Sequence, residues 1–192
     1  MSQESKKPRI FITGHTRGIG KAVFDLYESK GYYCYGVSKS EGFDIDKDCD
    51  IIVQQMANFK YIVLNAYAKD SQLRMLKAII ERYENDDKHV AVITSTSGTT
   101  AGMDSSLKQQ EYNWYCKNKK ELIEYIEKCQ QDLFEKPIQI YDICPDTVKT
   151  DMSAGLWEEY PKLQAEDVAE CVDMCFTKSF NINKIVIQKN AR

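Results

Sequence analysis

The sequence is short of the features that mark several broad protein classes. No stretch approaches the ~18 consecutive apolar residues of a membrane-spanning helix. The opening MSQESKKPRI has no apolar run of the secretory kind. Two histidines and the absence of any Cys-x-x-Cys pair leave no common zinc-ligand pattern. The seven cysteines (34, 49, 116, 129, 144, 171 and 175) are odd in number and scattered, which excludes the framework of a small disulfide-stapled domain. With a net charge of −3 and its basic residues dispersed, the chain has no basic face for nucleic acid or an anionic membrane. The expectation is a cytoplasmic protein that binds a small molecule, with no metal, nucleic-acid or membrane partner.

What is present suits one globular domain. The chain has 192 residues, 43% of them hydrophobic, and no linker, repeat or low-complexity segment. We read 1–192 as one domain, with 1–8 a flexible N-terminal segment. RIFIT (9–13), YYCYGV (32–37), YIVLNA (61–66), HVAVIT (89–94), IQIYDIC (138–144) and KIVIQ (184–188) are apolar strands, and 43–46 is expected to add a brief one. Helical patterns lie between them, near 19–29, 49–57, 73–83, 108–134 and 166–176. Strands apolar on both faces, alternating with helices, specify an α/β fold: a doubly wound, Rossmann-type parallel sheet with helices on both faces.

Between the first strand and helix stands Thr13-Gly14-His15-Thr16-Arg17-Gly18-Ile19-Gly20. Glycines there permit a sharp turn and close approach of a pyrophosphate, and the helix N-terminus supplies free N–H groups with partial positive charge. Gly-x-x-x-Gly-x-Gly also differs from the Gly-x-Gly-x-x-Gly of other dinucleotide folds. The motif resembles the TGxxxGIG hallmark of the short-chain dehydrogenase/reductase family, in its compact branch.

The resemblance extends along almost the whole chain. It implies that Gly14, Thr16, Arg17, Gly18, Ile19 and Gly20 hold the cofactor, as do Asn65 and Ala66 in LNAYA, which is similar to the family's NNAG segment. Pro145, Thr147, Val148 and Thr150 in CPDTVKTDM match the PGxVxT stretch beside the nicotinamide. NAD-preferring relatives carry an acidic residue at the end of the second strand, where this chain has Ser38 followed by Lys39. A lysine there and Arg17 suit a 2′-phosphate of roughly −1.5 to −2 charge, so NADP(H) is expected over NAD(H). Asp44 is matched to an adenine contact.

Tyr-x-x-x-Lys occurs twice, at Tyr35/Lys39 and Tyr115/Lys119. The first lies on a predicted strand, where residues four apart cannot cooperate. The second lies on a helix, where they are neighbours. A phenol of pKa ~10 is a poor base at neutral pH, and a nearby ammonium, together with the charge of an oxidised nicotinamide, is expected to lower it. Tyr115 is thus the general acid/base, and the family role of Lys119 is also to hold the nicotinamide ribose. ITSTSG (93–98) resembles ISSxxG and makes Ser95 the third catalytic residue, with Ser97 as fallback.

Four departures from the pattern stand out. Asn65 and Ser95 are only 30 residues apart, so the intervening helix is curtailed and the family's proton-relaying asparagine has no match. Ser95 and Tyr115 are 20 apart, which enlarges a loop containing Asp104 and Ser105 and ending at Trp114. Asp146 replaces a glycine, and little material follows Met152 to make a lid. The curtailed helix argues against the family's tetramer and leaves a homodimer as the expected assembly. An NADP(H)-linked carbonyl reductase or alcohol dehydrogenase is the leading reading, and a weakly active or inactive nucleotide-sensing or protein-interaction module is the alternative.

Overall fold

In each strand, neighbouring side chains point to opposite faces of the sheet, and here both faces are apolar. The computed structural model describes residues 7–99, 107–155, 158–159 and 161–189. Its strands are β1 (Arg9–Thr13), β2 (Tyr33–Val37), β3 (Tyr61–Leu64), β4 (His89–Ile93), β5 (Gln139–Pro145) and β6 (Lys184–Ile187). The helices between them are α1 (Gly18–Ser29), α2 (Cys49–Gln55), α3 (Ser71–Tyr83), α4 (Leu107–Asp132) and α5 (Ala165–Thr177). All strand pairs are parallel, in the order β2-β1-β3-β4-β5-β6.

Alternation along the strands builds two cores. Phe11, Ile62, Val90 and Ile140 face α2, α3 and α4, whereas Ile10, Ile12, Val63, Ala91 and Ile143 face α1 and α5. The chain thus winds to both sides of one sheet, the doubly wound arrangement expected from its periodicity.

The stretch 43–46 is not a strand, contrary to expectation. Asp44 closes a turn instead: its side chain accepts from the Asp46 N–H at 3.0 Å, and its carbonyl accepts from Lys47 and Asp48. A side chain that satisfies its own local backbone competes with a sheet ladder. The missing strand leaves β2 at the sheet edge.

Lys88 is buried without a carboxylate in contact. Its Nζ donates to the carbonyls of Met56, Ala57 and Phe59 at 3.1, 2.9 and 3.0 Å and lies 4.5 Å from the Tyr83 ring centroid. It closes the 3-10 turn that follows α2, as a basic side chain does for exposed carbonyls at a helix end. Lys88→Met is expected to cost about 2 kcal/mol by leaving carbonyls unpaired, measured by urea unfolding; a variant as stable as the parent would refute this capping role.

Candidate active site

Sheet order reverses between β1 and β3, because β2 lies on one side of β1 and β3 on the other. In open α/β sheets, ligands bind beyond the strand C-termini at such a switch point. The buried polar residues Thr13, Ser38, Thr94 and Ser95 lie at or just beyond the ends of β1, β2 and β4.

The turn after β1 is held from two sides. The Gly14 N–H donates to the Val37 carbonyl at 2.7 Å, and Asn65 Nδ2 donates to the carbonyls of Thr13 and Gly14 at 3.2 Å each. Thr13 Oγ1 accepts from the N–H groups of Asn65 and Ala66 at 3.0 and 3.1 Å. Gly14 and Gly18 have φ of +72° and +54°, and a Cβ on Gly20 would stand 2.1 Å from the Gly14 carbonyl oxygen. Helix α1 starts with no side-chain cap and no acidic residue in its first turn. Its N-terminal N–H groups therefore suit an anion, and the residues present fit a dinucleotide pyrophosphate. Ile19 packs behind them against the α1–α5 core.

The segment after β5 folds over the same helix start. Pro145 ends β5 and Val148 pairs with Leu163. The Leu163 N–H donates to the Thr147 carbonyl at 3.0 Å. Thr150 Cγ2 would be 3.1 Å from a Cβ on Gly18, and Arg17 pairs with Asp151 at 3.6 Å. On the β2 side, Thr16 Oγ1 is 3.5 Å from Ser40 Oγ, and Lys39 pairs with Asp44 at 3.1 Å. The matched cofactor positions from Gly14 to Thr150 therefore converge on one end of the sheet.

The three proposed catalytic residues also meet. Tyr115 and Lys119 lie one turn apart on α4, and the Tyr115 hydroxyl lies near enough to the Ser95 side chain for the serine to pull its pKa down. A 3-10 turn at Thr96–Gly98 presses on α4, where a Cβ on Gly98 would come within 2.8 Å of the Lys119 backbone carbon. A side chain larger than hydrogen there would push Ser95 away from Tyr115. Ser97 is engaged elsewhere, its Oγ accepting from Tyr112 at 3.1 Å. Asp104 and Ser105 lie outside the described residues, while Trp114 is exposed beneath the Lys117 ammonium.

The protein's own groups act against part of the electrostatic expectation. Burial pushes the Tyr115 phenol up to about 12, against a smaller lowering by the Ser95 side chain. Burial also pulls Lys119 down to about 7, opposed by Asp142 and Cys144. The Lys119 Nζ donates to Gln72 Oε1 and the Ile93 carbonyl, both at 2.7 Å, and lies 5.6 Å from the ring centroids of Tyr67 and Tyr115. An amine so desolvated holds the phenol down only weakly.

Gln72 and Tyr67 were not identified from the sequence. Gln72 Nε2 also donates to the carbonyls of Leu64 and Ile93, at 2.9 and 3.2 Å, so it braces Lys119 from α3. The signal for it was a polar residue in the apolar stripe shared with Met75, Leu76 and Ile79. Tyr67 meets Tyr115 edge-on at 4.9 Å and accepts from Asn118 at 3.2 Å. A lone tyrosine after an apolar strand carries no such signal.

No family model matches the chain. A segment of 90 residues is 30% identical to the 3-oxoacyl-[acyl-carrier-protein] reductase FabG of Haemophilus influenzae. It covers 46% of this chain and about a third (34%) of that reductase. A short-chain dehydrogenase from Burkholderia cenocepacia, solved with NADP, superposes with a TM-score of 0.77 at 13% identity, covering 96% of this chain and 89% of that one. A short-chain dehydrogenase/reductase from Vibrio parahaemolyticus gives 0.74 at 19% identity, covering 93% and 98%. The chain has the short-chain dehydrogenase/reductase fold. The 3-alpha-hydroxysteroid dehydrogenase of Pseudomonas sp. B-0831, solved with NADH, gives 0.70 at 14% identity, covering 93% and 94%. Among the described residues, no helix is long and apolar enough to cross a membrane, and no group of three or more His, Cys, Asp or Glu could hold a metal ion.

Burial of Lys119 has a measurable sign. An unfolded lysine keeps its proton to about pH 10.4, while the folded one loses it near 7, so the unfolded chain binds more protons across that window. The unfolding free energy of wild type minus that of Lys119→Met is expected to rise between about pH 7 and 10. A flat difference in denaturant titrations would contradict a depressed lysine.

Proposed function

We propose that this protein is an oxidoreductase of the short-chain dehydrogenase/reductase family, using NADP(H) to interconvert a carbonyl and an alcohol. The observation that carries the reading is the Ser95–Tyr115 contact, with Lys119 one turn along α4, at the end of the sheet where the glycine turn stands. Relatives solved with NADP and with NADH support a nicotinamide cofactor, and Arg17, Ser38 and Lys39 favour the phosphorylated form. A carbonyl-reductase activity, a cytoplasmic site of action and a homodimer belong to the same proposal.

The protein's own groups divide the work. The turn from Gly14 to Gly20, with Asn65 behind it and Thr147 to Thr150 above, holds the cofactor. A bound nicotinamide supplies or accepts the hydride. Ser95 hydrogen-bonds the substrate oxygen as charge develops there. Tyr115 gives that oxygen a proton in the reductive direction and takes one in the oxidative direction. Lys119, when protonated, has three donors and spends two on Gln72 and Ile93, which leaves one for a ribose hydroxyl.

With the phenol near 12, Tyr115 is an acid throughout the neutral range. Between about pH 6 and 9, carbonyl reduction is therefore expected to lose nothing through Tyr115 and to decline only as Lys119 gives up its proton near 7, while alcohol oxidation climbs with the phenolate fraction. Tyr115→Phe should lower kcat/KM by about 100-fold to 10,000-fold and leave NADPH affinity unchanged. The readouts are a carbonyl-substrate screen followed by NADPH absorbance, and a fluorescence titration for binding. Turnover untouched by the substitution would refute the assignment.

The enclosure of Lys119 by Gln72, Tyr67 and Tyr115 favours a second reading, a nucleotide-responsive sensor or interaction module. NADPH binding without turnover of any carbonyl would support it.

A further inference from the structure

One charged residue, Asp142, interrupts the apolar run of β5, and it is only 1% exposed. Alternation along the strand places it on the face of Ile140, which packs against α4. A carboxylate in such a place is costly unless it is hydrogen-bonded and paired. Both conditions are met. Thr94 Oγ1 donates to Asp142 Oδ1, and the Lys184 ammonium of β6 lies 3.2 Å from Oδ2. Lys184 also reaches Glu127 of α4, at 3.3 Å. A hydroxyl donor on one oxygen and an ammonium at the other suit the ionised form.

The same corner of the sheet carries Lys119, whose Nζ rests on two neutral acceptors, Gln72 Oε1 and the Ile93 carbonyl. Thr94 follows Ile93 directly, so neighbouring residues of one strand end hold Asp142 and Lys119. The titratable groups facing Lys119 are Tyr67 after β3, Tyr115 on α4, and Asp142 and Cys144 on β5. Those facing Asp142 are Lys119, Cys144, Lys184 and the exposed Glu127. Burial pushes Tyr67, Tyr115 and Cys144 up, which keeps them neutral. It pushes Asp142 up too, while Thr94 and Lys184 pull that carboxyl back down. Asp142 is therefore the buried negative charge that the lysine meets.

The proton on Lys119 decides what the side chain can do. As an ammonium it has three donors, two of them taken by Gln72 and Ile93. A neutral amine has two, both taken, and none for a ribose hydroxyl. We propose that Asp142 is a positioning residue for the reaction: its buried carboxylate, held by Thr94 and Lys184, keeps Lys119 protonated and so preserves the third donor. The kinetic side of this rests on the function proposed above, whereas the coupling of the two side chains does not.

Asp142→Asn keeps the shape and the oxygen that accepts from Thr94, and Lys184 retains Glu127. Denaturant titrations across pH compare D142N with D142N/K119M, and wild type with K119M. The rise of the unfolding free-energy difference with pH is expected to begin about one pH unit lower in the D142N pair. Losing the carboxylate weakens proton binding by the folded lysine alone, so the unfolded chain binds the excess protons from a lower pH. The decline of carbonyl reduction should shift down by the same step, about tenfold in proton concentration. Thr94→Val removes the donor that stabilises the carboxylate and should move both curves the same way by less. T94V, compared with T94V/K119M, decides the matter if D142N does not fold. An onset unmoved in the variants overturns the role of Asp142, as does a kinetic decline that stays in place while the onset moves. A moved onset with no carbonyl turnover by any of these proteins overturns the proposed function and upholds the coupling of Asp142 to Lys119.

Discussion

From one position on α4, the Lys119 side chain donates to the last carbonyl of β4 and to Gln72 of α3. Gln72 returns to the same Ile93 carbonyl and to Leu64 at the end of β3. Two strands and two helices are thereby tied at one point, in surroundings where an unpaired polar group is costly. The position of Tyr115 follows from this, because it precedes Lys119 by one turn and its hydroxyl must then reach Ser95. So does the glycine at 98, since the turn carrying Ser95 has to press against the same stretch of helix.

Burial that gives precision also changes chemistry. Lys119 is desolvated where it is held, and desolvation weakens the charge that would acidify the phenol. The Tyr115 phenol, raised by burial, keeps its proton through the neutral range. At the other end of the site, Arg17 and Lys39 are exposed and already paired, with Asp151 and Asp44. A cation's presence in a sequence therefore says less about ligand charge than the partners it already holds.

Much of the fold could be read from periodicity. Strands such as YIVL and HVAVI, apolar on both faces, have no stable place except inside a parallel sheet, and the glycine turn after the first strand fixes where a dinucleotide can approach. The strand expected at 43–46 failed because Asp44 satisfies its own turn, a local competition that hydrophobicity does not register. Tyr115 and Lys119 were legible as neighbours because helical spacing brings residues four apart together, and Ser95 was picked out by the likeness of ITSTSG to ISSxxG.

The sequence by itself determined the layered α/β architecture and the glycine turn after the first strand, and its local spacing set Tyr115 and Lys119 side by side on one helix. Tertiary structure alone decided that Gln72 braces Lys119 across 47 residues, and that Tyr67 caps it. It also decided that Asp142 stands between Thr94 and Lys184. These arrangements depend on burial and on contacts between elements far apart in the chain, and neither quantity belongs to any short stretch of sequence.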